Sequence, residues 1–355
     1  LWSHQLPTTY FSKLETLEVF HCVKMRNLMP PSVARDLLNL RSLWIKNCES
    51  MEEVITEEQQ QGEEIMSNEP LFPLLERLSL SGLPRLGHFF QTKRALVFPL
   101  LLQVEIAQCP EMKTFVQQGS VSRENVNNDS ELKVYDLNNA MFTSKVSCPS
   151  LKTLDINGAD SITALCSHQL PTTYFSKLET LEVFHCVKMR NLMPPSVARG
   201  LLNLQILNIG NCKSMEEVIT EEEQQGEEIM SNEPLFPRLE MLDLSGLPRF
   251  GHFFRTKHAL VFPLLEIVYI HKCPEMKTFV QEGSVSTPNL KRLNNAKEVK
   301  VDDLNKWIQQ RFISKEENSS EGSTDGYENE VTESDKSEAS DHDESETTET
   351  LKGEP

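Results

Sequence analysis

Residues 1–122 recur almost unaltered at 165–286, an offset of 164, and the two copies differ at only 20 of 122 positions. Each copy is itself built from a shorter unit, L-x-x-L-x-[LVI]-x-x-[CL]-x-x-[ML]. A chain that repeats itself on this scale cannot close around one unique core, because a single unit has too little apolar surface to bury its own edge. It must stack its units so that each covers the next.

The unit can be read nine times, beginning at Leu14, Leu40, Leu75, Leu101, Leu151, Leu178, Leu204, Leu239 and Leu265. In the first, the core positions are Leu14, Leu17, Val19 and Cys22; in the fifth, Ala159 stands where the others carry Cys or Leu. Apolar residues two apart, such as Leu17 and Val19, share one face of a strand, and the polar residues beside them face the other way. Each unit therefore predicts one short strand, a turn and a returning segment. Successive first leucines lie 26, 35, 26, 50, 27, 26, 35 and 26 residues apart, close to the leucine-rich-repeat period, and the 35s carry an inserted loop. The expected fold is an α/β leucine-rich-repeat solenoid, a curved horseshoe with a parallel β-sheet on its concave face.

Charge and cysteines narrow the class. The net charge is −18, but residues 316–355 hold 15 Asp/Glu against 2 Lys, so the acidity is mostly a property of the tail. No basic footprint for nucleic acid is present, and no run approaches the 18 or so apolar residues of a membrane helix. Six of the eight cysteines, Cys22, Cys48, Cys109, Cys186, Cys212 and Cys273, occupy one motif position. An inward-facing thiol there acts as a small apolar residue with a weak donor. Without paired-Cys flanks, free thiols and a reducing, cytoplasmic setting are expected, which leaves the N-x-S sequons at Asn128 and Asn318 as chance matches. The chain begins at Leu1, mid-motif and without Met, and is expected to be a fragment.

The expected organisation is the first repeat copy at 1–122, a polar connector at 123–147, repeats including the second copy at 148–290, a capping segment at 291–315 and a disordered acidic tail at 316–355. The 35-residue units contain acidic, Gln-rich stretches, Glu52 to Glu69 and Glu216 to Glu233, that lack core periodicity and must leave the stack as solvated loops. Residues 127–138 echo 294–305 at an offset of 167, and in the second copy Leu304, Trp307, Ile308, Arg311 and Phe312 follow at helical spacing behind Asp302 or Asp303. A short amphipathic helix closing the repeat array is predicted there.

The duplication supplies an internal comparison. The open face of the first four strands presents Thr16, Glu18, Phe20, Ser42, Trp44, Lys46, Arg77, Ser79, Ser81, Gln103, Glu105 and Ala107. Eight of these 12 have changed in the second copy, to Ile206, Asn208, Gly210, Met241, Asp243, Ile267, Tyr269 and His271, whereas only 12 of the other 110 positions differ. Retention of the buried motif is expected, because packed interiors tolerate little volume change. Drift alone predicts scatter over all exposed positions. Concentration on one face points to a surface whose partner has been changing. Candidate partner-binding residues are accordingly Phe20, Ser42, Trp44, Lys46, Arg77, Ser79, Gln103, Glu105, Asp155, Phe184, Ile206, Asn208, Met241, Asp243, Ile267, Tyr269 and His271. Phe20, Trp44, Phe184 and Tyr269 are the expected anchors, since aromatic side chains dominate interface energetics.

Enzyme readings fail on the same residues. There is no G-x-x-x-x-G-K-[ST] phosphate loop and no G-x-G-x-x-G. His21-Cys22 and His185-Cys186 invite a dyad, but adjacent residues of a strand point to opposite faces. His252, His258 and His271 lack zinc-like spacing. Glu18, Glu105, Asp155, Glu182 and Asp243 lie along a sheet face rather than in a water-excluding site, and read as contact residues. No catalytic, cofactor or metal site is expected in this segment.

The stretches FSKLETLEVFHCVKMRNLMPPSVARGLLNLQILNIGNCKSMEEV and LFPRLEMLDLSGLPRF resemble the C-terminal repeats of plant nucleotide-binding leucine-rich-repeat disease-resistance proteins of the coiled-coil class. The resemblance covers roughly residues 1–313. It implies a cytoplasmic sensor of pathogen effectors, or of host proteins they modify, that restrains an ATP/ADP-binding switch domain lying upstream. The alternative is the substrate-binding arm of a ubiquitin-ligase adaptor. A third reading is a purely structural scaffold.

Overall fold

Alternating apolar and polar residues in each unit produce a five-residue strand. The computed structural model describes residues 11–56, 70–92, 94–117, 140–167, 170–220, 235–281, 283–294, 296–297 and 303–310. Nine such strands carry the nine units: β1 (Thr16–Phe20), β2 (Ser42–Lys46), β3 (Arg77–Ser81), β4 (Gln103–Ala107), β5 (Thr153–Asn157), β6 (Thr180–Phe184), β7 (Ile206–Gly210), β8 (Met241–Ser245) and β9 (Ile267–His271). Two short strands follow, β10 (Arg292–Leu293) and β11 (Ala296–Lys297). All join in chain order into one 11-stranded sheet, parallel throughout except for the antiparallel β10–β11 pair. Register is maintained from strand to strand: Leu17 pairs with Leu43, Leu43 with Leu78, and Leu78 with Val104. The described residues belong to one compact unit, Leu1–Ser314.

Each strand from β1 to β10 ends in a left-handed residue, φ between 52° and 69°: His21, Asn47, Gly82, Gln108, Gly158, His185, Asn211, Gly246, Lys272 and Asn294. That conformation turns the chain out of the sheet, and from β1 to β8 its N–H reaches the next coil; His21 N–H donates to Lys46 O at 3.0 Å and Asn47 N–H to Ser81 O at 2.9 Å. Gly and Asn adopt it at least cost. At Gly82 sterics add to the demand, since a Cβ there would lie 2.3 Å from Asn47 Oδ1.

Inward-facing Leu43, Ile45, Leu78, Leu80, Val104 and Ile106 and their equivalents are almost wholly buried. β1 lies at the sheet edge, so Leu14, Leu17 and Cys22 are only partly covered. The motif cysteines cap strand ends from inside: Cys109 Sγ donates to Ala107 O at 3.4 Å and to Leu80 O of the preceding coil at 3.7 Å. All eight cysteines are free thiols. Behind the sheet, a spine of buried phenylalanines fills the wide part of each coil. Phe89 stacks on Phe115 with centroids 5.0 Å apart, Phe115 on Phe142 at 5.7 Å, and Phe253 on Phe279 at 4.6 Å. Short parallel ladders close the back, the largest joining Glu53–Ile55, His88–Gln91 and Val116–Gln117.

Helix is scarce. The returning segments are mainly turns and two- to four-residue strands, because a 26-residue coil has little length left once strand and turns are made. The exceptions are α1 (Pro31–Asp36) and α2 (Pro195–Gly200), each started by a proline at the first turn, where its missing N–H costs nothing, and a helix over 304–310. Residues 140–147, read from sequence as the end of a polar connector, instead carry the strands Ala140–Phe142 and Val146–Ser147, with Met141, Phe142 and Val146 buried. Alternation there was too short to stand out from the polar run before it. The inserted stretches over 57–69 and 221–234, the connector over 118–139, Arg311, Phe312 and the tail lie outside the described residues.

The array ends in a substitution of side chain for backbone. Where the fourth coil is followed by another, Phe115 N–H donates to Met141 O at 2.8 Å. At the equivalent place in the second copy, Asn305 Oδ1 accepts from Phe279 N–H at 2.8 Å, Val280 N–H at 2.9 Å and Thr278 Oγ1 at 3.0 Å. Its Nδ2 donates to Val280 O at 3.1 Å and Gly283 O at 2.8 Å. Asp303 caps the helix by accepting from Asn305 N–H at 2.9 Å, while Leu304 and Ile308 pack on the core.

Candidate recognition surface

Register turns the outward side chains of the nine strands into three rows on one sheet face. The middle row runs Glu18, Trp44, Ser79, Glu105, Asp155, Glu182, Asn208, Asp243, Tyr269. The row at the strand starts runs Thr16, Ser42, Arg77, Gln103, Thr153, Thr180, Ile206, Met241, Ile267 and on to Arg292; the row at the strand ends runs Phe20, Lys46, Ser81, Ala107, Asn157, Phe184, Gly210, Ser245, His271. All 17 residues singled out from sequence therefore share this face. They are not equally available: Ser42 and Ser79 are buried by their neighbours, Phe20 is 44% exposed, and most of the others are half-buried.

The face is zoned. At its start the Lys46 ammonium lies over the Trp44 ring, 4.9 Å from the centroid, a cation–π contact that holds both side chains. At its far end the Tyr269 and His271 rings lie 6.1 Å apart and 24° from parallel, and Arg292 approaches the Tyr269 hydroxyl at 3.5 Å. The centre is acidic. Glu105, Asp155 and Glu182 stand side by side on β4, β5 and β6. Ser79 donates to Glu105 at 2.8 Å and Asn208 to Glu182 at 2.7 Å. Burial, together with the charges of Glu182 and Glu105, pushes the Asp155 carboxyl up to about 6. One divergent pair has a packing cause: the Phe184 ring lies over Gly210, where a Cβ would meet it at 2.7 Å, whereas its counterpart Phe20 stands beside Lys46.

The Cys/His pairs are not sites, for a reason different from strand alternation. His21 and His185 are the left-handed residues just beyond their strands, exposed, while the following cysteine turns under. Cys186 Sγ donates to Phe184 O at 3.4 Å, and its hydrogen bond with Cys212, reinforced by burial, holds its thiol above the ordinary range. Burial pushes Cys109 up to about 12. Such thiols are not nucleophiles at neutral pH. His252 lies 3.2 Å from Glu217 and His88 3.4 Å from Glu53, equivalent pairs behind the sheet. Among the described residues no group of three or more His, Cys, Asp or Glu could hold a metal ion, and no helix is long and apolar enough to cross a membrane.

Sequence reasoning missed Thr153, Asn157 and Arg292 on this face. Leu290-x-x-Leu293 is half a repeat unit and was the available signal for Arg292.

Comparison with known proteins agrees with this geometry. A family model described as plant disease resistance protein RPS2-like, leucine-rich repeats, matches residues 1–128 and 150–303. A probable disease resistance protein of Arabidopsis thaliana is 31% identical over 103 residues, which cover 29% of this chain and 10% of that relative. The alignment thus spans a small part of the relative's length. With its repeat unit, its parallel sheet and a family match over most of its length, the chain belongs to the RPS2-like leucine-rich-repeat family of plant disease resistance proteins.

Proposed function

We propose that this chain is the non-enzymatic protein-recognition module of a cytoplasmic plant immune receptor. Its coils form a curved solenoid whose open sheet face is the concave one. That face senses a pathogen effector, or a host protein that an effector modifies, and in the absence of either the module restrains an upstream ATP/ADP-binding switch domain. The observation that carries the reading is the placement of change between the two copies: eight of 12 outward positions on one sheet face differ, against 12 of 110 elsewhere. Half-buried aromatic and charged side chains on that face supply the contact chemistry, with Phe20, Trp44, Phe184 and Tyr269 as anchors. The name of the Arabidopsis relative supports a role in disease resistance.

The test exchanges first-copy residues for their second-copy counterparts, Trp44→Asn, Lys46→Gly, Glu105→Tyr and Ala107→His, in the full-length receptor. Association with partner proteins is measured by proximity labelling in leaf tissue, and folding by thermal unfolding of the purified chain. Loss of partner labelling with an essentially unchanged unfolding midpoint is expected. An unchanged set of partners refutes the recognition reading in favour of a structural scaffold.

A further inference from the structure

We propose that the centre of the open face takes a protein segment carrying two or three adjacent Lys or Arg side chains with apolar side chains on either side. The inference rests on the recognition reading and names the chemistry of the partner.

Glu105, Asp155 and Glu182 occupy neighbouring strands at equal height. Strands lie about 4.8 Å apart, and like charges directly opposite one another destabilise a sheet. The contacts of this row are with neutral groups, Ser79 at one end and Asn208 at the other. In the flanking rows the three strands present Gln103, Thr153, Thr180, Ala107, Asn157 and Phe184, none of them a cation. Cations do lie nearby: Lys152 pairs with Glu179 at 2.8 Å just before the strands, Lys46 sits on Trp44, and Arg77, exposed in the strand-start row one strand before Gln103, flanks only the Glu105 end of the carboxylate row.

Two acceptors in this zone, Asp155 Oδ1 and Asn208 Oδ1, are enclosed and accept no hydrogen bond. A sheltered acceptor left unpaired destabilises the face, and a guanidinium or ammonium entering between these side chains brings the donors and the opposite charge together. The row is also a product of the duplication. Glu105 comes from the last coil of the first copy, Glu182 from the first coil of the second, and Asp155 from the coil between them; the equivalent of Glu105 in the second copy is Tyr269.

Spacing sets the rest of the partner's pattern. Trp44 and Tyr269 are seven strands apart, roughly 34 Å at the usual strand separation, a span that about ten extended residues cross. Trp44 lies about 10 Å from Glu105 and Tyr269 about 14 Å from Glu182 by the same measure. A central cationic cluster with an aromatic or aliphatic residue three or four positions to either side satisfies both ends.

The probe is a fluorescent decapeptide with three central arginines and a tryptophan at each end, bound to the full chain at physiological ionic strength and read by anisotropy. Four proteins are compared: wild type, Glu105→Gln/Asp155→Asn/Glu182→Gln, Trp44→Ala/Tyr269→Ala, and a tail control with Glu328, Glu330 and Glu333 changed to Gln. The triple face variant is expected to weaken binding at least tenfold and the tail control less than twofold. An unfolding midpoint no lower than wild type checks the fold, and Asp155→Asn alone, expected to weaken binding severalfold, serves if the triple variant does not fold. Binding within twofold of wild type in the face variants overturns the proposal, as does an equal loss in the tail control. If the peptide responds to the aromatic pair and not to the carboxylates, the cationic partner is refuted while recognition by this face stands.

Discussion

Replacing Asn305 with Ala removes the side chain that stands in for the next coil. Five hydrogen bonds are lost, and two of them leave the buried N–H groups of Phe279 and Val280 without a protein partner. At about 1 kcal/mol net for each bond, partly offset by water entering at the array's end and increased by the stranded donors, the expected cost is about 4 kcal/mol. In a repeat array each coil contacts only its neighbours, so the loss falls on the last coil instead of spreading through the sheet. Native-state hydrogen exchange resolves this directly. Protection of the Phe279 and Val280 amides should fall by a factor of about 10³, given tenfold per 1.4 kcal/mol, whereas Phe115, which bonds to Met141 O, keeps its protection. Asn289→Ala, which removes the single bond to Pro263 O at 2.6 Å, is the matched control and should change protection about tenfold or less. A loss below tenfold at Phe279 and Val280 in the Asn305 variant would refute the account of Asn305 as the terminating group.

Two further outcomes test the packing and the electrostatics. Phe115→Ala, which opens a gap between Phe89 and Phe142, should cost about 3–5 kcal/mol in urea unfolding, more than any single substitution on the open face. Asp155→Asn should stabilise the chain at neutral pH. The folded carboxyl, about 6, lies above its ordinary value of 3.8, so the fold favours the protonated form. Wild-type stability from this group is therefore greatest below pH 3.8 and is lost as pH rises through 6. Discounted for solvent screening of a half-exposed group, the gain in the variant is about 1 kcal/mol at pH 7.5, falling to nothing near pH 4. Urea midpoints at the two pH values measure it, and a gain that persists at pH 4 rules out ionisation as the cause.

The main sheet was legible from the chain because its signal is local and repeated. Leu17 and Val19, two apart and recurring in every unit, specify a strand, its inward face and its neighbours. The outward residues followed from the same alternation, so the candidate face needed no tertiary information beyond the stacking of like on like. The phenylalanine spine was equally periodic, with Phe89 and Phe115 26 residues apart and Phe253 and Phe279 repeating them. It escaped because those residues lie on returning segments, where no two-residue alternation marks them as inward. The strand at Ala140–Phe142 escaped for the opposite reason, being too short to show a period at all.

What the sequence determined by itself was the repeat, the parallel sheet it builds and the separation of buried from outward positions, because these depend on side-chain period and on units covering one another. Tertiary structure alone decided how the outward residues act on each other. Glu105, Asp155 and Glu182 are 50 and 27 residues apart in the chain and become neighbours only through register. Phe184 lies over Gly210, Lys46 reaches the Trp44 ring, and Asn305 replaces a backbone carbonyl because each fits the space its neighbours leave. Charge repulsion, ring contact and hydrogen-bond exchange act across a few ångströms of space, and separation along the chain does not encode that distance.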